Sequence, residues 1–169
     1  MYLIESVLPV LESLDGNALS PDAFASACTA SGWSEPTADG IGLWEAEHPA
    51  DGTRLILDTM TKPTTVICCL DAHDDYEPEA LLVGELRRVF DQNFFACVEV
   101  LRSRFPCPLG AGTYEPPYNW RFAHFQGRRS RIALEQSYYD PILGVQLLLL
   151  LQPLPAEADL SGSAISASW

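Results

Sequence analysis

Residues 82–106 read LVGELRRVFDQNFFACVEVLRSRFP, and this stretch decides the fold. Leu82, Leu86, Val89, Phe90, Phe94, Cys97, Val98, Leu101 and Phe105 keep to steps of three and four, which predicts one continuous apolar face across about six helical turns. Pro106 and Pro108 end it, since neither can extend the hydrogen-bond ladder. A face of that length needs an apolar surface to cover it, and the flanking sequence supplies one on each side.

Upstream lie three strand-like runs: IGLWEAE (41–47), TRLILDT (53–59) and TTVICCLD (64–71). The short turn-rich links HPADG (48–52) and MTKP (60–63) make them an antiparallel meander. Downstream, YNWRFAHFQ (118–126), SRIALEQSY (130–138) and VQLLLLLQ (145–152) form a second meander, turning at GRR and YDPILG. The last run is apolar on both faces, which places it at the centre of a sheet. In the first, Trp120, Phe122 and His124 alternate with Arg121, Ala123 and Phe125.

Ahead of both meanders stand two helices. Apolar positions 3, 4, 7, 8, 10, 11 and 14 form a helical stripe interrupted by Pro9. The segment SPDAFASACTASGW (20–33) offers Ser20 as N-cap, Pro21 at the first helical position and Gly32 as a stop. Neither meander can bury its apolar face alone. The expected fold is therefore α+β: two N-terminal helices, then β-β-β-α-β-β-β, with one antiparallel sheet and the long amphipathic helix packed on it. Residues 1–152 form one domain in this reading, and 153–169 a small, polar, frayed tail. The stretch PCPLGAGTYEPPYN (106–119) reads as a loop, long enough to be a candidate binding element.

The chain of 169 residues is 47% hydrophobic and carries a formal net charge of −13. That charge is uneven. Residues 1–86 hold 16 acids and two bases, and residues 87–169 hold seven acids and eight bases. Such a surface repels nucleic-acid phosphates and attracts a basic partner. No uncharged apolar stretch of about 18 residues is present, and the N-terminus lacks a basic leader, so neither a membrane span nor a secretory signal is expected. Five cysteines (28, 68, 69, 97 and 107), with no CxxC or CxxH pair, point to buried thiols in a cytoplasmic protein.

The densest polar stretch is DAHDDYEPEA (71–80). It has neither the alternation nor the glycine of a calcium loop, and the chain has no HExxH. A strand end followed by a helix entrance fits better, with Pro78 in the first turn and acids at the positive end of the helix dipole. The segment WRFAHFQGRRSR (120–131) interleaves arginines with aromatics as single-strand binding platforms do, but it also reads as a hairpin with one core face and a charged turn. No nucleophile elbow, phosphate loop or dinucleotide fingerprint is present, so no catalytic residue, metal or cofactor is assigned.

Three functions fit these features. In the first, the protein is an acidic protein-binding module that neutralises or escorts a basic partner, such as the immunity protein of a bacterial toxin. Its contact surface is Glu45, Glu47, Asp51, Asp58, Asp71, Asp74, Asp75, Glu77 and Glu79, with Tyr114 and Tyr118 as aromatic anchors. In element order and acidity the chain looks broadly like the α/β type III secretion chaperones, which implies an escorting role. The additional N-terminal helix and the third late strand depart from that pattern. In the second, Glu45, Glu47, His73, His124 and Arg121 serve a ligand or substrate in the cleft between sheet and helix. In the third, the chain assembles with itself as a homodimer through an exposed strand edge.

Overall fold

The computed structural model describes residues 2–73, 84–116, 119–140 and 144–154. Its elements run α1 (Tyr2–Leu14), α2 (Pro21–Ala30), β1 (Thr37–Ala38), β2 (Leu43–Glu47), β3 (Arg54–Asp58), β4 (Thr65–His73), α3 (Glu85–Arg104), β5 (Cys107–Thr113), β6 (Arg121–Gln126), β7 (Ser130–Asp140) and β8 (Gly144–Pro153). The strands form one antiparallel sheet in the order β1-β2-β3-β4-β8-β7-β6-β5. The α+β architecture is as expected, with the two meanders joined at the centre by β4 and β8.

The helices lie on one face. Helix α3 packs on β6 and β7, α1 packs on β4, and α2 packs on α1. Phe90, Phe94, Cys97, Val98 and Leu101 of α3 are buried as the periodicity requires, while Val89 turns outward. Helix α1 buries Ile4, Val7, Leu8, Val10, Leu11 and Leu14. Its Pro9 cannot bond to the carbonyl of Glu5, and both residues are exposed, so water can take the vacant acceptor. Ser20 caps α2 by accepting from the Ala23 N–H at 3.3 Å. Past its end, Gly32 adopts φ +80°, and the buried Trp33 donates its Nε1 to the Ser6 carbonyl at 3.2 Å, tying α2 to α1.

Strand β8 alternates fully buried Val145, Leu147, Leu149 and Leu151 on the helix side with half-buried Gln146, Leu148, Leu150 and Gln152 on the other. Cys68 and Cys69 take opposite faces of β4, one buried and one exposed. Cys28 and Cys97 are also buried, and burial pushes their thiols up to about 12 and about 11.

Two expectations are corrected. The loop read over 106–119 contains β5, the outer edge strand beyond β6. Its Gly110 and Gly112 face His124 and Phe122 on one side while Ala111 packs against Ala123 on the other, so a strand alternation is present without the side chains that normally announce one. A Cβ at Gly112 would lie 3.2 Å from the Phe122 ring, which is why the ring can lie over this strand. The other edge is β1, two residues long and equally unannounced. Of the helix entrance read over 71–80, the strand end is Asp71–His73 of β4, the rest lies outside the described residues, and α3 runs from Glu85 after Gly84. Asp74, Asp75, Glu77, Glu79, Tyr118 and the segment 155–169 lie outside the described residues.

Candidate functional site

The described acids of the predicted surface divide by what they touch. Asp51, in the β2–β3 turn, accepts from the Thr53 N–H and from His48 Nδ1, both at 3.0 Å. Hydrogen bonds from Thr53 chiefly hold its carboxyl below the usual carboxylate range. Asp58 is nearly buried and accepts from the N–H groups of Met60 (2.8 Å) and Thr61 (3.1 Å), closing the β3–β4 turn. Asp71 accepts from Asn93 of α3 at 2.9 Å, beside a hollow of about 90 Å³ lined by Ile4, Leu70, Ala96 and Leu147. These three serve the fold.

Glu45 and Glu47 behave differently. Both project from β2 on the face opposite the helices, where Glu45 forms an exposed ion pair with Arg54 at 3.2 Å. With Glu35, Ser34, Thr37 and Pro49 they line a shallow hollow at the β1–β2 margin of the sheet. The sequence reading missed Glu35, since only the short pairing of β1 with β2 brings residues 35–37 beside Glu45.

Tyr114, at the other end of the sheet, stacks on Phe122 with ring centroids 4.9 Å apart, and Phe122 stacks on His124 at 5.1 Å. His124 Nε2 lies 3.0 Å from Glu135 Oε1, beside the Tyr114–Phe122 pair. The hydrogen bond from His124 holds the Glu135 carboxyl low, while burial and the adjacent Glu135 push Tyr114 up to about 12. Glu135 carried no sequence signal, because its partner His124 comes from another strand.

The proposed ligand residues do not converge. Glu45 and His124 share the open face but stand on β2 and β6, five strand spacings apart, about 24 Å at ordinary strand spacing. Arg121 points to the helix side, where its Nε lies 3.1 Å from Asp91 Oδ1 and its guanidinium stacks on Phe95. The same oxygen accepts from Arg87 Nε at 3.1 Å and from the buried Gln136 Nε2 at 2.9 Å. Arg87 in turn lies over the Trp120 ring. Burial opposes the charge on Asp91, but the bonds from Gln136 and Arg121 and the charges of both arginines outweigh it and hold this carboxyl low. The interior between sheet and helices is otherwise filled by the apolar core.

Among the described residues, no group of three or more His, Cys, Asp or Glu side chains is placed to hold a metal ion, and no helix is long and apolar enough to cross a membrane. No protein-family model matches the chain, and comparison with curated proteins and with solved structures found no match.

Proposed function

We propose that the protein is an acidic binding module for a basic macromolecular partner, acting as an immunity or inhibitor protein of a bacterial toxin does. One observation carries this reading. Glu35, Glu45 and Glu47 gather at a single sheet margin with their carboxylates toward solvent, while the neighbouring acids Asp51 and Asp58 are held by turns. Charges presented this way steer a cationic partner, raising its association rate more than they add to affinity. A cytoplasmic setting suits the thiols of this chain. A ligand site between sheet and helices has less to stand on, because that layer is packed with side chains.

The test is affinity capture from a lysate at low salt, comparing the natural chain with a Glu35→Lys, Glu45→Lys, Glu47→Lys variant. The expected result is a basic protein released by rising salt from the natural chain and lost from the variant. Equal retention by both, at any salt, would sink the proposal.

A further inference from the structure

Among the described residues no helix lies on the face opposite α1, α2 and α3, and its side chains run across the strands in register. The middle row reads Glu45, Ile56, Ile67, Leu150, Ala133, His124 from β2 to β6. On one side of it, Cys69, Leu148, Glu135 and Phe122 follow one another, with Arg54 next to Cys69 by continuing the Leu55–Cys68 register. On the other side, Asp58 pairs with Thr65, Gln152 donates to Thr65, and Arg131 pairs with Gln152. Ile56, Ile67, Leu148 and Leu150 are only half-buried, so the centre of the sheet exposes aliphatic surface framed by charge. A contiguous patch of that kind marks a contact surface.

We propose that a second copy of this chain covers it, the two sheets stacking face to face about a two-fold axis parallel to the strands and midway between β4 and β8. The axis sets β4 over the partner's β8, β3 over its β7 and β2 over its β6. Apolar groups then meet apolar groups: Ile67 on the partner's Leu150 and Cys69 on the partner's Leu148, with Ile56 above the partner's Ala133, a buried position. Charge meets its opposite where Arg54 faces the partner's Glu135. Glu45 falls opposite the partner's His124, so this dimer and a basic partner bound at Glu45 and Glu47 compete for one face. The pattern is self-complementary, as an isologous contact must be. The alternative in-plane two-fold, perpendicular to the strands, would set Glu45 on the partner's Glu45.

Aligned sheets pack about 10 Å apart with strands about 30° off parallel, a geometry both twisted faces can adopt. Eight strands at about 4.8 Å and five residues at about 3.4 Å give a face on the order of 650 Å² per copy, close to the roughly 800 Å² that each side of a stable interface buries.

Sedimentation velocity at about 100 µM tests this, a concentration at which even a micromolar dimer is populated. The natural chain sediments as a dimer, and Leu150→Glu as a monomer with unchanged circular dichroism. Arg54→Glu and Glu135→Arg each set like charges against each other, weakening the homodimer roughly tenfold or more. An equimolar mixture of these two variants restores a dimer, because each copy then meets an opposite charge at both contacts. That rescue requires residue 54 of one copy to face residue 135 of the other, and no loss of folding can imitate it. A monomeric natural chain, or a mixture no more associated than its components, would overturn the proposal. Raising salt screens repulsion between two copies of net charge −13 and favours this dimer, whereas it weakens binding to a basic partner, so the two proposals fail independently.

Discussion

In the N-terminal half of the sheet, three carboxylates close the turns of their own strands; in the C-terminal half, two carboxylates reach the strands from helices far away in sequence. Asp39 accepts from the N–H groups of Ile41, Gly42 and Leu43, Asp51 from Thr53, and Asp58 from Met60 and Thr61. By contrast, Asp15, at the end of α1, accepts from the Arg128 N–H at 2.7 Å across 113 residues and from that of Arg129 at 3.3 Å. Asp91 of α3 reaches Gln136 of β7 and Arg121 of β6. The half richest in acids uses several of them locally and leaves the rest in water. The half poor in acids is joined to the helical layer by a few long-range carboxylates. Removing an acid should therefore loosen one turn in the first half and a layer contact in the second.

The sharpest break lies at the β6–β7 turn. A Cβ on Gly127 would lie 2.2 Å from Asp15 Oδ1, and all three of its nearest atoms belong to that carboxyl group. Gly127→Ala must push Asp15 away from both turn amides, leaving a buried carboxylate without its donors. The expected cost is about 2–4 kcal/mol in urea or thermal unfolding. Adding Asp15→Ala to Gly127→Ala removes the clash, so the double variant should lose less than the sum of the singles. Additive losses would show that the turn and α1 are not coupled.

Asp91 comes next. Asp91→Ala leaves Arg87, Arg121 and buried Gln136 without their shared acceptor, at an expected cost of about 2 kcal/mol. Its carboxyl is held below its unfolded value, so its contribution is fully present above that value, about 4, and is lost as pH falls through the folded one. Asp91→Asn should thus flatten the acid limb of the stability–pH curve. An unchanged acid limb would mean that Asp91 stabilises by shape and not by charge.

The same division explains what could be read from the sequence. The helices, six of the strands and the central place of β8 follow from local periodicity and turn residues. The two edge strands do not: β1 is too short, and β5 places glycines where strands usually place large side chains, because the Phe122 ring occupies that space. The turn role of Asp51 and Asp58 was hidden by their sign, since acids scattered along β2–β4 read as a surface although these two carboxylates accept from the amides that follow them. Glu35 joins Glu45, and Glu135 joins His124, only through strand pairing. Composition cannot supply such pairings.

The smallest effect tests the local half. Asp58→Ala removes the acceptor for the amides of Met60 and Thr61, next to the exposed Met60 side chain. The expected loss is about 1 kcal/mol, the ordinary net value of a turn hydrogen bond, with faster amide exchange confined to the β3–β4 turn. Asp58→Asn keeps an acceptor oxygen in place and should retain most of that stability, since geometry and not charge closes the turn. A loss in Asp58→Ala as large as that of Gly127→Ala, or exchange that spreads into β8, would abolish the contrast between the halves. It would make the acidic meander as much a part of the layer contact as the helices' own carboxylates.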